Sequence, residues 1–518
     1  MMNSPAFIIF IALFAFVTLL GFFAARWRRG DLNVLSEWGL GGRRFGTVVT
    51  WFLLGGDLYT AYTFIAVPAL LFGAGATGFF AVPYTILVYP LLFVVYPRLW
   101  SVAKAKGYVT AADFVRGRFG NGTLALAIAV TGIVATMPYI ALQLVGMEVV
   151  IAGLGINMNP TIPGIGVVHE FPLLIAFVVL ALYTYSSGLR APALIAVVKD
   201  FLLYVTVIAA IIIIPVELGG FGKIFAAADP KTLILAPATA ANLGPQAAYA
   251  TLALGSTLAL FLYPHAVTGL LSSSSRHVVR RNAVALPAYS FALGLIALLG
   301  TMAVAARVKD MPQYAEGFKT FGNQFAVPAL FLQMFPNWFV GVAFAAVAIG
   351  ALVPAAIMSI ACANLFTRNI YREYINPDCS PKAEAQVAKI VSLVVKLGAL
   401  FFIIGLPTQY AIQFQLLGGI LIIQTAPAVL LGLYTNKLNP WALLIGWLAG
   451  IASGTAMAAS LSFKVSIYPL QILGVIVPCY AALSSLVLNL IVSVILSWMF
   501  NAMLRTPPRD ATAAADYV

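Results

Sequence analysis

The chain has 518 residues, 62% of them hydrophobic and 9% charged, with a formal net charge of +13. A soluble globular surface needs roughly 25% charged residues, so the composition excludes a water-soluble enzyme and makes the lipid bilayer the expected solvent. The positive balance does not point to nucleic acid. The Lys and Arg residues gather in alternate loops, around Arg26 to Arg44, Arg98 to Arg118, Arg276 to Arg281 and Arg368 to Lys389. Such an excess marks cytoplasmic loops, which puts the N-terminus outside, the C-terminus in the cytoplasm, and requires an odd number of spans. Cys362, Cys379 and Cys479 are scattered without ligand spacing, so neither a disulfide framework nor a metal site is expected.

In chain order, Pro5 to Ala25 is apolar over ~20 residues, long enough to span. It has no basic segment before it and no cleavage site after it, so it reads as a helix rather than a signal peptide. Hydropathy then predicts about thirteen helices, at 5–26, 46–73, 78–97, 122–154, 171–186, 192–215, 249–274, 283–306, 337–365, 386–405, 409–432, 440–462 and 470–500. Arg98 to Gly120 reads as a surface helix, with Thr110 as N-cap and Asp113 as its first-turn acid. Residues 216–248 and 307–336 are long external connections, each with room for a short helix such as Val327 to Phe335. The tail from Pro507 to Val518 is small and polar and is expected to be disordered. Everything before it forms one integral membrane domain.

The informative residues are polar ones at bilayer depth. Gly55-Gly56-Asp57 is expected to break the second helix, because glycine frees backbone carbonyls and a buried charge must face protein, water or an ion. Asp57 either shapes an ion and solute cavity or caps the half-helix after the glycines. Five helices later, Tyr263-Pro264-His265 offers a second break, since proline removes a helix hydrogen bond. Paired interrupted spans in corresponding halves mark the midplane site of secondary transporters. Tyr59, Thr60, Tyr62 and Thr63 follow Asp57 with hydroxyls and aromatic walls suited to a small polar solute. Gln143, Tyr263, His265 and Thr268 complete the candidate pocket. His265 either carries a coupled proton or is a satisfied core group.

Lys199 and Asp200 are adjacent in the sixth helix, ~100° apart around its axis. They are therefore not expected to face one partner; one should snorkel and the other face the bundle. They form either a structural ion pair or part of an ion path. No phosphate-binding glycine loop, metal-spaced cluster or nucleophile elbow is present in the sequence.

Four segments together resemble the solute:sodium symporter family over essentially the whole chain. These are Leu35 to Gly46 with its Gly42-Arg43 pair, Gly56-Asp57-Leu58, Gly188-Leu189-Arg190-Ala191 leading to Asp200, and Phe366-Thr367-Arg368-Asn369-Ile370-Tyr371 with Asn369 in place of an acid. The resemblance implies an all-α membrane fold with a five-plus-five inverted-repeat core. The repeats would be 46–215 and 249–432, with 5–26 before them and two helices at 440–500 after them. Tyr263-Pro264-His265 with Val353 to Ser359 looks most like the bacterial monocarboxylate permeases. That implies a cation-coupled importer of lactate, pyruvate or a similar acid, alanine included, in the bacterial inner membrane.

The family's sodium site implies carbonyls on Gly55 and Leu58 and two adjacent hydroxyl residues on the ninth helix. Ungapped matching puts the latter on Val353 and Pro354; a gapped match gives Ser359 and Ile360, a single hydroxyl. The family usually has Thr where this chain has Lys199. The expectation is that Lys199 substitutes for sodium, with Asp57, Lys199, Asp200 and Ser359 in ion coupling and protons slightly favoured over sodium. No cofactor and no obligatory protein partner are expected. The rival readings are a sodium symporter for proline, pantothenate or another small acid, and a membrane sensor with a symporter-like fold.

Overall fold

A computed structural model describes residues 3–27, 30–163, 166–404, 411–503 and 510–518, without the side chains of residues 62, 402–404, 411, 412 and 414. The expected boundary between the tenth and eleventh helices, the Tyr62 side chain and the first residues of the tail lie outside this description.

Among the described residues, nine helices are long and apolar enough to cross a membrane, or ten if one bent pair counts as a single span. The centre of the bundle is Asn337–Phe366, whose residues are almost all buried. It can be enclosed on every side because its sequence is small and apolar all round, which is the signature of a core helix in a membrane bundle. Gly122–Gly153, Arg190–Glu217 and Pro381–Ile404 pack around it. The first helix, Ser4–Phe23, is capped by the Asn3 side chain and lies against Asn337–Phe366 from outside.

Among the described residues, two spans are broken by non-helical backbone, at Tyr59 and at Tyr263. Gly244–Leu260 stops at Phe261, and Pro264–Leu271 resumes at a 49° bend with Pro264 in its first turn. The second is Thr47–Leu58, irregular at Tyr59 and Thr60, followed by a π-helical turn and Val67–Ala74. This break comes one turn later than the sequence reading put it. Gly55, Gly56 and Asp57 are helical, and unwinding starts at Tyr59 (φ −101°, ψ 88°). The two glycines serve close packing instead: a Cβ on Gly55 would overlap the Tyr289 ring, and one on Gly56 would lie 3.2 Å from Lys199 Nζ.

The surface helix splits into Tyr96–Lys106 and Ala111–Phe119. The second begins with a full capping box, Thr110 accepting from the Asp113 amide while Asp113 accepts from that of Thr110. The expected helix at 283–306 is two, Arg276–Ala285 and Pro287–Ala305, parted at Leu286 before Pro287. The long connections hold short helices, including Ala326–Met334.

Two expectations fail at the C-terminal end. Residues 470–480, expected to begin the last helix, belong to an antiparallel hairpin, Ile467–Ile472 with Val475–Tyr480, and the helix runs only from Ala481 to Met503. β-branched residues, Pro469 and Pro478 favour extended backbone there, and Leu473-Gly474 turns with both φ angles positive. The tail is ordered over 510–518: Ala514–Tyr517 makes a helical turn, and Tyr517 is buried against Phe114 under Arg98 and Arg118. An aromatic preceded by Asp510 and Asp516, which pair with Arg118 and Lys106, finds a basic surface that polarity alone did not anticipate.

Candidate functional site

The site is built where the first broken helix runs out. A helix C-terminus presents unbonded carbonyls and the negative end of its dipole, and so attracts a cation. Lys199, from Arg190–Glu217, fills that role: its Nζ donates to the carbonyl oxygens of Gly56 and Tyr59, each at 2.7 Å. The same ammonium lies 2.9 Å from Asp200 Oδ1. Asp200 Oδ2 in turn accepts from the Tyr289 hydroxyl at 2.5 Å. Lys199 and Asp200 are both fully buried, so the expectation that one of them snorkels is corrected. The flexible lysine stem curls back toward its neighbour, and the pair shares one pocket despite its angular separation. The carbonyls are those of Gly56 and Tyr59, not Gly55 and Leu58. Gly55 O is taken by the Tyr59 amide, and Leu58 O by the Thr63 hydroxyl, which also accepts from the Thr60 amide.

Asp57 lies between this cluster and a second one. It is 1% exposed, and neither carboxylate oxygen has a hydrogen-bond partner among the described residues. On its other side stands the His265 ring, with Nε2 3.7 Å from Oδ2. His265 sits in the first turn of Pro264–Leu271, with Tyr139 and Tyr263 rings each 5.3 Å from its own. Both of its ring nitrogens are buried and unpartnered among the described residues. Gln143, one turn from Tyr139 on Gly122–Gly153, donates to the Tyr139 carbonyl at 3.4 Å and leaves Oε1 free. Gly146, on the same face, lets the broken segment approach at Ala61. A carboxylate, an imidazole and an amide oxygen are thus all buried with unfilled hydrogen-bonding capacity, which a small polar solute would complete.

A family model for the sodium:solute symporter family matches residues 38–450. The chain belongs to that family. A "Monocarboxylate transport permease protein" of Rhizobium johnstonii is 52% identical over 96% of this chain and 98% of its own length. YodF, an uncharacterized symporter of Bacillus subtilis (strain 168), is 34% identical over 87% of each chain. The solved structure of a Na+-coupled sialic acid symporter in a substrate-bound, outward-open state superposes with a TM-score of 0.74. It covers 96% of this chain and 98% of its own, at 15% identity, and shows a shared fold. The protein is a multi-pass, cation-coupled membrane transporter of a small solute.

Within this symporter the remaining expected residues are dispersed. Tyr59 turns away from His265: it stacks on Tyr289 and donates to Ser290, within a hydroxyl group that includes Tyr89 and Thr85. Tyr263 donates to the Gln415 carbonyl. Thr60 is buried at the break. Thr268 lines a cavity of about 20 Å³ with Thr110 and Thr425, on the side of the basic loops. Ser359 does not join the Lys199 cluster; it donates to the Ala356 carbonyl and accepts from Ser392, which receives a bond from Lys396 at 2.7 Å. The sequence reading passed over Tyr289, Tyr139, Ser290 and Lys396.

Proposed function

We propose that the protein imports a short monocarboxylate such as lactate or pyruvate together with protons, by alternating access, across the bacterial inner membrane. The observation that carries the proton assignment is Lys199 Nζ at 2.7 Å from two carbonyls at a helix C-terminus. An ammonium with those partners and Asp200 provides in covalent form what a bound sodium ion would provide. Asp57 and His265 then flank the solute, with Gln143, Tyr139 and Tyr263 shaping the pocket. The positive N-terminal end of Pro264–Leu271 offers donors to a carboxylate. The relative named for monocarboxylate transport supports the solute class. In this reading the chain makes thirteen crossings, two of them interrupted, in a five-plus-five inverted repeat with the basic loops in the cytoplasm, the N-terminus outside and the C-terminus inside.

Sodium coupling is the second reading, favoured by the family and by the sodium-coupled structure that shares the fold. Uptake of radiolabelled lactate and pyruvate into proteoliposomes separates the two. An inward proton gradient without sodium should drive accumulation, and collapse of that gradient should stop it. Accumulation that follows only a sodium gradient would reject proton coupling, and no uptake of any short acid under either gradient would reject the solute class.

A further inference from the structure

A cavity of about 440 Å³ lies between the first broken helix and Pro287–Ala305. Leu71 and Phe72 of Val67–Ala74 form one wall, and Leu298 and Val304 a second. Phe225 and Leu233, from the short helices Phe221–Ala227 and Pro230–Leu233, form its roof. Leu298 and Val304 stand in the last two turns of a span that starts at the basic loop around Arg276, so the cavity is at the opposite end of the bundle. Its polar lining is Asp229, Thr232 and Thr301, and the rest is apolar. Two of the three are engaged at the rim: the Asp229 carboxylate accepts from the Lys231 amide at 3.0 Å, and the Thr232 hydroxyl donates to the Asp229 carbonyl at 2.7 Å. The roof is seated on the bundle at Gly75, where a Cβ would overlap the Thr232 carbonyl.

The walls are continuous with surface that faces lipid. Phe291 is 71% exposed within a span. Leu298, seven residues on, falls on the same face of that helix, ~20° round the axis. One face therefore meets acyl chains at Phe291 and becomes the cavity wall at Leu298. On Arg190–Glu217, Ile208, Ile212 and Val216 make an exposed apolar stripe at four-residue spacing. Just beyond that helix, Phe221 and Phe225 stack on each other, 40% and 39% exposed, while Ile224 between them is buried. Lys223 and Lys231 are exposed beside them. Aromatic rings on one side and lysines able to reach headgroup level on the other mark a segment lying in the membrane interface.

We propose that this cavity holds one acyl chain of a phospholipid from the leaflet opposite the basic loops. The chain enters along the face marked by Phe291 and lies between Leu298 and Phe225, with its end against Leu71 and Phe72. Water in the same space would find few polar partners, whereas each methylene placed there is removed from water. Leu71 and Phe72 belong to the segment that follows the break, so the bound chain braces that segment against Pro287–Ala305 and holds the roof down. The inference rests on the membrane fold alone and is independent of which solute or ion is carried.

The test is native mass spectrometry of the full-length protein, delipidated in detergent and titrated with dioleoylphosphatidylcholine. The wild type should retain one phospholipid saturably at limiting lipid. Leu298→Trp, which fills the cavity, should weaken that affinity about tenfold, the effect of excluding roughly two methylene groups. Ile491→Trp, on the exposed face of Ala481–Met503, should leave it unchanged. If Leu298→Trp does not fold, Val304→Phe carries the comparison, with about a fourfold loss for one methylene. Glycerophosphocholine, the same headgroup without chains, should not compete. No saturable retention, equal affinity in the cavity variants, an equal loss in Ile491→Trp, or competition by glycerophosphocholine overturns the proposal.

Discussion

The two broken helices reach the same interruption by different means. In Gly244–Leu260 and Pro264–Leu271 the proline fixes the break: its ring cannot continue the preceding helix, and it sits in the first turn of the next. In Thr47–Leu58 the glycines permit a break but do not place it. They let Tyr289 and Lys199 approach the backbone, and the chain unwinds where Lys199 and Thr63 take up the freed groups. A break set by proline is local chemistry. A break set by glycine is decided by whatever the glycine allows to come near.

That contrast can be strained by substitution, most severely at the ammonium. Lys199→Met strands Asp200 beside Tyr289 and should lower stability by about 3–5 kcal/mol, with Lys199→Met/Asp200→Asn recovering much of it. Thermal unfolding in detergent measures both, and two equal losses would show that the pair is not coupled. Asp57→Ala should cut solute uptake by about 100-fold, on the scale of about 2–5 kcal/mol for a buried charged partner, while the protein still inserts. Wild-type uptake would remove Asp57 from the mechanism. Gly55→Ala should cost about 1–3 kcal/mol, as expected for overpacking against Tyr289, with Gly55→Ala/Tyr289→Ala milder than the sum of the single changes; additivity would mean the ring is not the obstacle. Pro264→Ala should be mildest, about 0.4–1 kcal/mol through a less restricted unfolded chain, because the bend is also held by Tyr263 bonded to the Gln415 carbonyl. A loss as large as that at Lys199 would show that the proline alone holds the second break.

Much of the bundle was legible in the sequence because lipid imposes length and apolarity on each span. The Thr110 and Asp113 cap was also legible, since it depends on two residues three apart. Asp57 and His265 could be picked out as polar groups at bilayer depth, and the structure brings them within 3.7 Å. The hairpin at 467–480 was misread because its apolar residues have the hydropathy of a span, and only the prolines and Leu473-Gly474 distinguish it. Ser359 was placed by matching along the chain, but the face of Asn337–Phe366 that carries it turns to Ser392 and Lys396. Lys199 with Asp200 failed differently, because helical phase describes where a Cβ points and not where a four-carbon stem can bend. Tyr289 was invisible for the same reason that the Gly55 break was misplaced: both depend on a contact more than 200 residues away along the chain.

The central claim is that an ammonium already stands at the carbonyl end of the first broken helix where a sodium ion could bind. Sodium-dependent thermal stabilisation of the purified protein, measured against choline at constant ionic strength, tests it most directly. The account predicts no saturable sodium effect in the wild type, and the appearance of one in Lys199→Ala, where the two carbonyls and Asp200 are released. Saturable stabilisation of the wild type by sodium would contradict it.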